Sequence, residues 1–177
     1  MVIWVTGLSG AGKTTLCRAY YDLYKPSCPE LVLLDGDAVR AAFGHDLGHR
    51  ESDRHKQIRR IQGIARLLSD QGLVVLVSAL YSHPDLLAWN RANLAGYFEV
   101  YLRAPLDFLR RRDGKGLYSG AERGEVRDVV GVDIPWHEPA HADLVLDASR
   151  PADPKVWARR VAAALSEGDR RGLRRRA

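Results

Sequence analysis

Cysteine is scarce in this chain: two in 177 residues, Cys17 and Cys28. That excludes a disulfide-stapled secreted scaffold and points to reduced thiols in a cytoplasmic protein. Neither cysteine sits in a metal-ligand spacing. His137 and His141 are four apart, but Pro135 and Pro139 bracket them and argue against the helix that would bring them onto one face. No apolar run approaches the roughly 20 residues that span a bilayer, so no membrane partner is expected. The start, Met1-Val2-Ile3-Trp4-Val5-Thr6, lacks the basic region and cleavage site of a signal peptide and reads as a buried strand. Internal repeats are absent, and so is Asn-Lys-x-Asp, the base-reading motif that a GTPase-like switch needs.

What is present suits one domain over residues 1–167. Hydrophobic residues make up 46% of the chain, enough for a core, and the charged share of 28% is ordinary for a soluble protein. The net charge of +5 is partly local, because Arg170–Arg176 contains five arginines. Residues 168–177 therefore read as a basic, solvated and disordered tail, which makes nucleic acid an unlikely partner.

Between these ends, apolar runs alternate with helical patterns. Strands are expected at Val2–Thr6, Leu31–Asp35, Leu73–Ser78, Phe98–Leu102 and Asp143–Leu146. Helices are expected from Lys13 to about Tyr24 and over Ser52–Gln71, Leu86–Ala95, Leu106–Arg112 and Asp153–Leu165. Such alternation predicts an α/β fold, a parallel sheet with helices on both faces. One stretch, Gly114 to about His141, fits no element. Its glycines, prolines and charges read as a mobile lid.

The chemistry starts at Gly7-Leu8-Ser9-Gly10-Ala11-Gly12-Lys13-Thr14, followed by Thr15, which matches G-x-x-x-x-G-K-[ST] at every position. It lies where that P-loop belongs, between a buried strand and a helix. Its backbone N–H groups and the helix N-terminus attract phosphate. Lys13 is expected to reach the β- and γ-phosphates of ATP, and the Thr14 hydroxyl to ligate Mg²⁺. Asp35-Gly36-Asp37 closes the second strand, at the edge where ligands of parallel sheets sit. These acids are either turn formers or groups that orient the acceptor hydroxyl, take its proton or hold a Mg²⁺-bound water. Among the arginines that follow, Arg40 is the best placed to clamp an anionic acceptor; Arg54, Arg59 and Arg60 come after it.

Four blocks together resemble the adenylylsulfate kinase family: Gly7–Thr15, Asp35–Arg40, Asp46–Arg60 and Arg112–Asp133. The resemblance implies a five-stranded P-loop NTPase sheet, a mobile lid and frequent dimerisation. It also implies transfer of phosphate from Mg-ATP to the 3′-hydroxyl of adenylylsulfate. By resemblance, Arg40 and Arg54 bind the acceptor nucleotide, Asp37 sits at the reacting hydroxyl and Lys115 belongs to the lid edge. The departures fall on the acceptor side. His49 and Val129 stand where the family has the two phenylalanines that sandwich adenine, Gln57 stands for an acceptor-binding Asn, and Leu80–Pro84 replaces Ile-Ser-Pro-Tyr-Arg. Tyr81 and Trp136 are further candidates for stacking. These changes, with Trp89-Asn90-Arg91 and Tyr97–Val100, also resemble a divergent branch that includes cytidine diphosphoramidate kinases. They predict weaker binding of adenine and an acceptor such as a cytidine conjugate.

Overall fold

A computed structural model describes residues 1–114, 116–150 and 152–174, with side chains through Glu167. Five parallel strands form one sheet: β1 (Val2–Thr6), β2 (Leu31–Asp35), β3 (Val74–Ser78), β4 (Tyr97–Arg103) and β5 (Leu144–Asp147), in the order β2-β3-β1-β4-β5. The apolar runs explain the arrangement. Successive strand residues point to opposite faces, so a strand without polar alternation needs cover on both sides. In β1, at the centre, Val2, Ile3, Trp4 and Val5 are all at most 1% exposed. Ile3 stands opposite Leu76 of β3 and Phe98 of β4, which sets the register of the central strands.

The helices supply that cover. They are α1 (Lys13–Tyr24), α2 (Gly36–Ala42), α3 (Glu51–Asp70), α4 (Pro84–Asn93), α5 (Leu106–Arg112), α6 (Leu117–Glu122) and α7 (Pro154–Arg174). α1 packs against α7, and α3 against α4 and β3. Ile58, Ile61 and Ala65 form the buried stripe of α3, as the three-and-four spacing predicts. No helix among the described residues is long and apolar enough to cross a membrane.

Three features differ from expectation. Asp35-Gly36-Asp37, for which turn chemistry was one reading, opens a helix, α2, because the Asp35 carboxylate caps it by accepting from the Asp37 and Ala38 amides. The lid region contains a helix, α6, started by Asp113, which accepts from the amides of Tyr118 and Ser119. The last helix runs to Arg174, beyond the Leu165 expected, so the basic tail begins as helix.

Candidate active site

At the end of β1 the chain doubles back over Gly7. A Cβ there would lie 2.5 Å from the Leu102 carbonyl oxygen, at a φ of +151°, so only glycine fits. The loop then delivers the first turn of α1 with no side-chain cap on its N-terminal amides. Uncapped amides plus the helix dipole make an anion cradle. Lys13 arches over the loop and donates from Nζ to the Leu8 carbonyl at 2.9 Å. The Thr14 hydroxyl donates to Asp35 Oδ2 at 2.8 Å, tying the cradle to the end of β2.

The cradle opens into a cavity of about 380 Å³, within the range of small-molecule sites. Asp37 lines it from α2, exposed, and its carboxylate makes no hydrogen bond among the described residues. Arg40, 8% exposed, donates from Nη1 to the carbonyls of Leu47 and Gly48 at 2.6 and 2.8 Å. Arg54 donates from Nε to the His49 carbonyl at 2.8 Å and from Nη2 to the Asp128 carbonyl at 2.6 Å. These acceptors are neutral backbone carbonyls, which fix the guanidinium planes without cancelling their charge. Burial, and then Arg40, lower the pKa of Arg54. Burial, and then Arg40 and Arg54, lower that of His49, which favours a neutral imidazole at the rim. Buried Gln57 donates to the Gly36 carbonyl at 3.1 Å and so locks α3 onto the start of α2.

The segment read as a lid lines the cavity with Leu117 and residues 126–129. Its near end is tied to the P-loop by Tyr118, whose hydroxyl donates to the Ser9 carbonyl at 2.9 Å. Its far end is tied to α3 by the Arg54–Asp128 bond.

The structure thus gathers Ser9, Gly10, Gly12, Lys13, Thr14, Thr15, Asp35, Asp37, Arg40, His49, Arg54, Gln57 and Val129 around one cavity. Gly7, Leu8 and Ala11 do not line it; Leu8 and Ala11, each 5% exposed, belong to the core. Lys115 lies outside the described residues. Tyr81 lines the cavity, its hydroxyl donating to Glu51 at 2.6 Å, whereas Trp136 packs on Tyr101 at 6.1 Å and lines a separate cavity beside Leu8. The tract that resembles the divergent branch is also away from the site. Asn90 donates to the Tyr97 hydroxyl at 3.2 Å, which donates to Glu99 at 2.7 Å, in a buried network between α4 and β4. Ile58, Ile61, Leu117, Arg127 and Asp128 also line the cavity, although none of them was singled out as a site residue.

Comparison with known proteins agrees with this geometry. The family model for adenylylsulphate kinase matches residues 1–147. The adenylyl-sulfate kinase of Chloroflexus aurantiacus is 44% identical over 146 residues, 82% of this chain and 78% of that protein. The cytidine diphosphoramidate kinase of Campylobacter jejuni is 38% identical over 148 residues, 84% of this chain and 86% of that protein. Among solved structures, the APS kinase of Mycobacterium tuberculosis in complex with AMPPNP and APS has a TM-score of 0.84 at 34% identity, covering 93% of this chain and 96% of that one. With a family model spanning most of its length and relatives at this identity, the chain belongs to the adenylylsulphate kinase family.

Proposed function

We propose that this chain transfers the γ-phosphate of ATP to the 3′-hydroxyl of a nucleotide acceptor, with adenylylsulfate as the first candidate. The observation that carries this reading is the single cavity joining the P-loop to Asp37 and to two arginines that hydrogen-bond backbone carbonyls and make no ion pair among the described residues. In the reaction, the acceptor oxygen bonds to the γ-phosphorus as the bond to the β–γ bridging oxygen breaks. Asp37 lies where it can accept the hydroxyl proton. Lys13 and the P-loop amides stabilise the charge that spreads over the transferring group and collects on ADP. Arg40 and Arg54 hold the acceptor's anionic group. Leu117 and residues 126–129 keep water from the γ-phosphate.

Thr14 and Asp35 offer two hard oxygens 2.8 Å apart beside the cradle, a donor set that fits Mg²⁺. These two residues would hold Mg²⁺, which would supply charge neutralisation for the phosphates of ATP. Asp35 is thereby assigned to the metal and the α2 cap, and Asp37 to the acceptor.

A second reading, a cytidine conjugate as acceptor, is favoured by His49 and Val129, which present less aromatic surface than a phenylalanine pair. Base stacking on an aromatic side chain contributes roughly 1–3 kcal/mol. Adenylylsulfate and a cytidine diphosphate derivative, offered together at equal concentration with ATP, decide between the two by their kcat/KM ratio. The first reading predicts that adenylylsulfate is turned over faster. If the cytidine compound wins, His49→Phe with Val129→Phe shifts the ratio toward adenine, and a ratio unmoved by the double variant excludes these two positions as the cause.

A further inference from the structure

Asp133 lies outside the cavity, exposed on the far limb of the lid, and no step of the proposed reaction uses it. Its carboxylate nonetheless accepts two consecutive backbone amides: Asp128 N–H on Oδ2 at 2.6 Å and Val129 N–H on Oδ1. Those residues face the acceptor end of the cavity. Asp128 holds a φ of +63°, a left-handed conformation that non-glycine residues rarely adopt. In this conformation its carbonyl oxygen meets Arg54 Nη2 at 2.6 Å, and the following residue, Val129, is 2% exposed against the cavity.

The same turn is braced on its other side. The Val129 carbonyl accepts from the amides of Val132, Asp133 and Ile134 at 3.0–3.2 Å. Gly131 lets the loop approach the P-loop closely, since a Cβ there would lie 3.3 Å from both Leu8 and Leu106 side-chain carbons. The turn is therefore set between the P-loop and the helix carrying Arg54, and a single carboxylate fixes the two amides at its bend.

We propose that Asp133 is a positioning residue for the acceptor site: by holding the 128–129 turn in its left-handed form, it places the Asp128 carbonyl that orients Arg54 and the side chain of Val129 that meets the base. It touches neither ATP nor acceptor. The Tyr118–Ser9 bond, which does not involve Asp133, ties the other end of the lid to the P-loop, so loss of Asp133 leaves that tie in place. The inference rests on the proposed kinase reading for its kinetic consequence, but its structural claim stands apart from it.

Asp133→Asn is the informative change. The side-chain amide retains one acceptor oxygen and turns an NH₂ donor toward the second backbone N–H, so one bond is lost and a donor–donor contact replaces it. The expected result is a rise of about tenfold in acceptor KM, the size associated with losing a charge-assisted hydrogen bond, with ATP KM changed by less than about threefold. Adding Asp128→Gly makes the left-handed conformation intrinsically accessible and returns the acceptor KM toward that of the parent. A merely structural role would move both KM values together and would not be rescued by glycine. Equal acceptor KM in Asp133→Asn and parent, or no rescue, overturns the proposal. Hydrogen exchange of the free proteins separates this from failure of the kinase reading. If the parent turns over no nucleotide, the functional reading fails; faster exchange at the amides of 128 and 129 in Asp133→Asn still supports the turn-holding claim, and unchanged exchange there overturns it.

Discussion

Both carboxylate oxygens of Asp35 are engaged within the protein, one by the Thr14 hydroxyl and one by the amides at the start of α2. Two residues later, the carboxylate of Asp37 meets no such donor among the described residues and faces the cavity. The sequence Asp-Gly-Asp is symmetric in composition, and only the capping geometry distinguishes its ends. The proposed division of labour makes a direct prediction. Asp37→Asn keeps the shape and removes the proton acceptor, so kcat should fall by about 10²–10⁴-fold, the usual range for a general base, while ATP KM changes little. Steady-state kinetics in both substrates checks this. A normal kcat with a raised ATP KM would make Asp37 a nucleotide-binding residue instead. At this scale the P-loop was legible as a loop between strand and helix, because its residues are contiguous and their chemistry is local, although Gly7, Leu8 and Ala11 do not line the cavity. The Arg54–Asp128 bond was not, since it joins positions 74 apart and ends on a backbone carbonyl that has no sequence signature.

Elements were legible where burial dictated composition. Each of the five strands contains an apolar run, rich in β-branched residues in β1 and β3, and their alternation with helices carries the parallel topology. The two short helices not given as separate elements start beside glycine and an aspartate that accepts their first amides, a pattern shared by turns: Asp35, the N-cap of α2, before Gly36, and Asp113, three residues before the Gly116 N-cap of α6. Between α3, α4 and β4 lies a feature that no pattern announced. Glu99 is 1% exposed and linked through Tyr97 and Asn90 to Gln62, with Arg91 3.8 Å away. Burial raises its pKa above the ordinary carboxylate value despite Tyr97 and Arg91. A group raised on folding adds stability that is complete below its unfolded pKa and is lost as pH rises through the folded one. Glu99→Gln removes that loss. Its melting temperature relative to the parent should therefore climb as pH rises above the ordinary carboxylate range, each 1 kcal/mol of lost stability shifting Tm by about 2–4 °C in a domain of this size. Thermal melts across pH provide the check, and a difference that stays flat or falls contradicts the account.

Across the whole molecule, the sheet places two edges of chemistry side by side. β1 ends in the phosphate cradle and β2, at the sheet edge, ends in the two acids, with β3 between them ending at Ser78, which lines the same cavity. The segment from α6 to Val129 lies over both, held to the P-loop by Tyr118 and to α3 by Arg54. This explains why one cavity contains the ATP-side and acceptor-side residues together, which is the requirement for direct transfer in one step. The central claim is best tested by incubating the protein with Mg-ATP and adenylylsulfate or a cytidine diphosphate derivative, and locating the new phosphate by ³¹P NMR. The account predicts a phosphate ester at the acceptor's 3′-oxygen, formed by the parent and lost by several orders of magnitude in a folded Lys13→Ala variant. A phosphate at another position, or near-normal turnover by Lys13→Ala, would contradict it.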